Sequence, residues 1–127
     1  MSKFIIVDDS PFIHKQLKTF LEKHGHVVLG VASDGEEGVS LYKECRPEIM
    51  TLDITMPNKN GRDCLKEIID FDPNVKCIIV SAVQDEEMIV ECLGLGAMSF
   101  IHKPLKFRDE NYCSEFLNSI SEALEDE

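Results

Sequence analysis

Apolar, β-branched runs recur along the chain at Phe4–Val7, Val27–Ala32, Ile49–Leu52, Cys77–Val80 and Met98–Ile101, and each is followed by a stretch with helical periodicity. The pattern predicts five strand–helix units. In the first helix Ile13, Leu17, Phe20 and Leu21 keep the spacing i, i+4, i+7, i+8, and Gly25 ends it. Leu65, Ile68 and Ile69 repeat that spacing before Pro73; Met88, Ile89, Cys92 and Leu93 carry the fourth helix; Cys113, Phe116, Leu117, Ile120 and Leu124 carry the last. The final residues, Glu125, Asp126 and Glu127, oppose the negative end of that helix dipole and are expected to fray. The second helix, over 36–45, is the weakest in pattern because Gly38 interrupts it. Strands apolar on both faces and alternating with helices indicate an α/β fold: a parallel sheet with helices on both faces, since a parallel crossover needs a helix-sized connection. In such sheets ligands bind outside the carboxyl ends of the strands, where the strand order reverses.

The length of 127 residues suits one domain, 1–127, with no second module expected. With 13 Lys and Arg against 24 Asp and Glu, the net charge of −11 repels nucleic-acid phosphates and anionic membrane and favours basic partners or metal cations. The run Phe4–Val7 is too short for a signal-peptide core or a membrane span, so a cytoplasmic protein is expected. Cys45, Cys64, Cys77, Cys92 and Cys113 are scattered without a C-x-x-C pair, which suits buried reduced thiols. His24 and His26 flank Gly25 at a turn, and His14 lies on a helix without a metal-ligating partner at i+4.

The strand ends carry the chemistry. FIIVDDS, Phe4 to Ser10, runs an apolar strand into Asp8 and Asp9. Asp9 or Ser10 capping the helix that Pro11 begins explains one acid and leaves the other. Asp53 follows the third strand, Ser81 the fourth and Lys103 the fifth, so three acids, a hydroxyl and an amine converge at one sheet edge. Two carboxylates about 4 Å apart repel by about 4 kcal/mol at an effective dielectric of about 20, so the cluster calls for a cation. Mg²⁺ fits, since it prefers carboxylate, carbonyl and water oxygens and is commonly shared with a phosphate. Lys103 and the Ser81 hydroxyl would face the phosphoryl group from the other side, and Asp53, standing apart from the 8/9 pair, is the best candidate to form an aspartyl phosphate. Taken singly, Asp53 could cap a loop, Ser81 could cap the fourth helix and Lys103 could be a solvated charge.

From Lys3 to Pro104 the chain resembles the receiver domain of two-component response regulators. The matching pieces are VDDS (Val7–Ser10), DGEEG (Asp34–Gly38), LDITMP (Leu52–Pro57) with Gly61 after it, VSA (Val80–Ala82), GA (Gly96, Ala97) and FIHKP (Phe100–Pro104). The resemblance implies a five-stranded sheet of order 2-1-3-4-5, flavodoxin-like. It implies that Asp53 is the phosphoacceptor, that Asp8, Asp9, Asp53 and the backbone carbonyl of Thr55 hold Mg²⁺, and that Ser81 and Lys103 hold the phosphoryl oxygens. A cis Lys103–Pro104 peptide would aim the lysine inward, and Phe100 would be the aromatic switch, its plainer reading being a core aromatic. The phosphodonor would be a histidine kinase, and the output face the fourth helix, fifth strand and fifth helix of a monomer.

LDITMP and DPNVKCIIVSA look closest to the stand-alone chemotaxis branch of the family, which implies flagellar motor control, with a motor switch protein and a phosphatase as partners. A phosphorelay intermediate that passes its phosphoryl group to a histidine phosphotransfer domain is the alternative. A Mg²⁺-dependent phosphatase would want an acid where Thr55 stands, and a flavin module would not place two acids in its first loop. Lys106 to Tyr112, KFRDENY, reads as a longer link before the last helix than the family pattern has.

Overall fold

The computed structural model describes residues 2–125. Strands β1 (Lys3–Val7), β2 (Val27–Ala32), β3 (Ile49–Leu52), β4 (Cys77–Ser81) and β5 (Ser99–His102) form one sheet in the order β2-β1-β3-β4-β5. Every neighbouring pair is parallel. The crossovers are α1 (Pro11–Lys23), α2 (Gly35–Cys45), α3 (Gly61–Phe71) and α4 (Glu86–Leu95), and α5 (Glu110–Glu125) follows the last strand. The order reverses between β1 and β3, so the crevice of this sheet opens over their carboxyl ends.

Alternation along each strand divides the core. Ile5, Val7, Met50, Leu52 and Ile79 face α2, α3 and α4, where they meet Val39, Leu65 and Cys92. Phe4, Ile6, Ile49, Ile78 and Ile101 face α1 and α5, where they meet Leu17, Phe20, Phe116 and Ile120. Burying both faces is what makes the central strands read as unbroken apolar runs. The edge strand β2 departs from that reading: Val27, Leu29 and Val31 are exposed, and the β1–β2 register shifts between Phe4 and Ile5.

Short polar side chains start the helices. Ser10, not Asp9, caps α1 by accepting from the Ile13 N–H at 3.3 Å, with Pro11 at the first position. Asp34 caps α2, Asn60 α3 and Asp85 α4. Gly38, which weakens the pattern of α2, has a packing reason: a Cβ there would come within 2.8 Å of Val7, so the glycine lets the helix lie close on β1. The final link is shorter than the sequence suggests. Asp109 Oδ1 accepts from the Asn111 and Tyr112 N–H groups at 2.8 and 3.2 Å, drawing 110–112 into α5. Within the link Phe107 stacks on Phe20, with ring centroids 4.0 Å apart and planes 5° from parallel. Glu125 is still helical, while Asp126 and Glu127, expected to fray, lie outside the described residues. Cys64, Cys77 and Cys92 are buried free thiols as expected, but Cys45 and Cys113 are only half-buried. No helix among the described residues is long and apolar enough to cross a membrane.

Candidate functional site

A strand buried on both faces delivers its next residue to the sheet edge, and β1 and β3 do so side by side. Asp8 follows Val7 and is 1% exposed; Asp53 follows Leu52 and is 5% exposed. The Asp53 N–H donates to the Val7 carbonyl at 2.9 Å, locking the two strand exits together. Asp9 is exposed, yet one carboxylate oxygen from each of Asp8, Asp9 and Asp53 falls within 4.8 Å of the others. The sequence-predicted acids therefore form one cluster.

Lys103 enters from the end of β5. Its N–H donates to the Ser81 carbonyl at 3.0 Å, its peptide to Pro104 is cis, and its side chain is 15% exposed. The ammonium lies 2.8 Å from Asp8 Oδ2 and 3.2 Å from Asp53 Oδ2. Burial opposes the lysine charge, but the contacts with Asp8 and Asp53 outweigh it and hold the ammonium above its ordinary range. Burial raises the Asp8 carboxyl above its usual value, against the lowering pull of Lys103 and of the Ser10 N–H on Oδ1 at 2.9 Å. The Lys103 contact to Asp8 Oδ2 is close but poorly aligned, so that buried oxygen has no hydrogen-bond donor of proper geometry. One ammonium against three carboxylates leaves two negative charges over, and all the donors are hard oxygens. Asp8, Asp9 and Asp53 thus fit a divalent cation of the Mg²⁺ kind.

The other predicted residues stand around this cluster. Ser81 is fully buried at the end of β4, beside β3; its Oγ accepts from the Val83 N–H at 3.3 Å, and Asp85 rather than Ser81 caps α4. Thr55 is exposed, and its N–H approaches Asp53 Oδ1 at 3.4 Å, a long contact that tethers the loop to the acid without occupying it. Phe100 is half-buried on β5 against the α2–α3–α4 core, with its ring 4.9 Å from that of His102. Pro104 is exposed beyond the cis bond. The loop after Asp53 is pinned by Gly61, whose N–H donates to the Ile54 carbonyl at 2.8 Å; a Cβ at Gly61 would collide with the Asp53 carbonyl.

One residue at the site was not readable as such in the sequence. His14 Nε2 reaches back from α1 to the Asp8 carbonyl at 2.5 Å and to the Ala32 carbonyl at 3.2 Å. Its partners belong to β1 and β2, so no spacing within the helix signals the contact.

Residues 4–110 match the family model described as the response regulator receiver domain. The chain is 43% identical over 119 residues to the chemotaxis protein CheY of Thermotoga maritima, covering 94% of this chain and 97% of that one. Among solved structures it is similar to the CheX–CheY–BeF3–Mg²⁺ complex of Borrelia burgdorferi, with a TM-score of 0.86 and 38% identity over 94% of this chain and 87% of that one. It is likewise similar to the response regulator domain of Thermotoga maritima CheB, with a TM-score of 0.87 and 34% identity over 98% and 97% of the two chains.

Proposed function

The chain belongs to the response regulator receiver domain family, and on that premise we propose that it is a phosphoacceptor switch of the chemotaxis branch. The observation that carries the reading is the cluster itself: Asp8, Asp9 and Asp53 oxygens within 4.8 Å, with Lys103 3.2 Å from Asp53. The 43% identity to the CheY of Thermotoga maritima across 94% of the chain supports the branch.

In this reading a histidine kinase supplies phosphohistidine. A carboxylate oxygen of Asp53 attacks phosphorus, the P–N bond breaks as the O–P bond forms, and the imidazole leaves with the electron pair. Asp8, Asp9, Asp53 and the Thr55 carbonyl would hold Mg²⁺, as the complex of the Borrelia relative supports. When bound, that ion neutralises charge that develops on the transferring oxygens. Lys103, above its ordinary range and so fully charged at neutral pH, pairs with the oxygen on the opposite side. Ser81 turns its hydroxyl from the Val83 amide toward the new oxygens. That movement frees room into which Phe100 swings, reshaping the face made by α4, β5 and α5. The phosphoryl group shifts the equilibrium only as far as it contacts Ser81 and Lys103 better in the active arrangement.

Output then passes through a partner: a flagellar motor switch protein, with a phosphatase to reset the switch, in the cytoplasm and as a monomer. Thr55 stands where a phosphatase would want an acid to protonate the leaving group, which favours a phosphoacceptor switch over turnover of a phosphomonoester. The test is intact-mass measurement after treatment with a small phosphodonor and Mg²⁺. Wild type gains one phosphoryl group and Asp53→Asn none; a variant that still gains it refutes the assignment.

A further inference from the structure

We infer that His14 is a positioning residue for the metal: by clamping the Asp8 carbonyl it sets the direction in which Asp9 presents its carboxylate. This rests on the reading that Asp8, Asp9 and Asp53 hold Mg²⁺. Asp8 is fixed by its own side chain, with Oδ1 on the Ser10 N–H and Oδ2 beside Lys103. Asp9 is different. Its side chain is exposed and, among the described residues, accepts no hydrogen bond, so only the backbone places it.

The plane of the peptide between Asp8 and Asp9 decides that placement, and its carbonyl is the group His14 holds. Nε2 faces two carbonyl oxygens, of Asp8 at 2.5 Å and of Ala32 at 3.2 Å. Carbonyls only accept, so Nε2 carries the proton. The Ala32 carbonyl also accepts the Asp8 N–H at 2.9 Å, so one imidazole ties the exit of β1 to the end of β2 on both sides of Asp8. His14 is itself fixed one turn into α1, its N–H donating to the Ser10 carbonyl at 3.0 Å. The arrangement has the form of an outer-shell contact that orients a ligand it does not replace.

The test titrates the full chain with Mg²⁺ by calorimetry and records thermal midpoints in a chelator, for wild type, His14→Phe, His14→Gln, Asp9→Asn and the His14→Phe, Asp9→Asn double variant. His14→Phe keeps the ring volume and loses the donor; its Mg²⁺ dissociation constant is expected to rise about tenfold. His14→Gln, which keeps an N–H donor, recovers most of that loss. In the Asp9→Asn background the loss disappears, since Asp9 is the residue being aimed. A role in packing alone would move the thermal midpoint and leave this pattern flat. Wild-type affinity in His14→Phe, or equal weakening in His14→Gln and His14→Phe, overturns the inference. A wild-type chain that binds no Mg²⁺ overturns the reading of the acid cluster beneath it. Should His14→Phe fail to fold, the imidazole ¹⁵N spectrum of the wild type decides: a proton on Nε2 supports the clamp, and a proton on Nδ1 overturns it.

Discussion

The Lys103 ammonium lies 2.8 Å from Asp8 Oδ2, a buried carboxylate oxygen that has no hydrogen-bond donor of proper geometry. The two charges are mutually dependent. Cutting one partner from a buried pair leaves the other uncompensated, and with some solvent access at Lys103 the cost of Lys103→Met is expected to be about 2–3 kcal/mol, read from urea midpoints. Added Mg²⁺ should return part of it. The folded state holds the lysine above its ordinary value of 10.5, so its contribution is complete below that pH and disappears as pH rises through the folded value. The difference between wild type and Lys103→Met should stay level to about pH 10 and then shrink.

At Gly61 the constraint is steric. The start of α3 passes so close to Asp53 that any Cβ strikes its carbonyl. Gly61→Ala is expected to cost about 2–3 kcal/mol, as overpacking does, and to slow phosphorylation because the acid is displaced along with its backbone. Denaturant midpoints and time-resolved intact mass check the two effects separately. A stable variant with wild-type kinetics would refute the close approach.

His26 links stability to pH. Burial lowers it below its ordinary 6.5, and its Nδ1 accepts from the Ser2 N–H at 3.2 Å, a bond that protonation destroys. Between the folded value and 6.5 the unfolded chain binds more protons, so this residue makes stability fall as pH falls through that window. His26→Gln should remove the term: its stability difference from wild type narrows between pH 7.5 and pH 5. A difference that widens on acidification contradicts the assignment.

Phe107 carries the link before α5. It stacks on Phe20 at 4.0 Å and meets Phe116 at 5.7 Å, and half-buried as it is, Phe107→Ala is expected to cost about 2 kcal/mol. Phosphorylation by a small donor should be unchanged, because the ring stands outside the acid cluster. Thermal midpoint and intact mass together test the pair of outcomes.

Much of the site was legible because the strand ends are legible. An apolar run that stops at a polar residue marks where a buried strand emerges, and Asp8, Asp53, Ser81 and Lys103 each sit within a residue or two of such a stop. The link reads longer in the sequence than it is for a local reason: Lys106 to Tyr112 lacks apolar periodicity, and the Asp109 carboxylate, not a pattern, brings 110–112 into the helix. The β2 strand looked as buried as its neighbours because Val27 to Ala32 is equally apolar, and only its place at the edge exposes it.

Periodicity and strand-end chemistry alone determined the α/β class, the acids, hydroxyl and amine of the cluster, and the cation they call for, since each follows from residue type and local order along the chain. The tertiary structure decided which oxygens meet, that Lys103 bridges Asp8 and Asp53, that Gly38 and Gly61 exist for close approach, and that His14 holds the turn between the paired aspartates. Those facts depend on distances between residues far apart in sequence, and such distances are set by how helices pack on the sheet, which no spacing within a single element encodes.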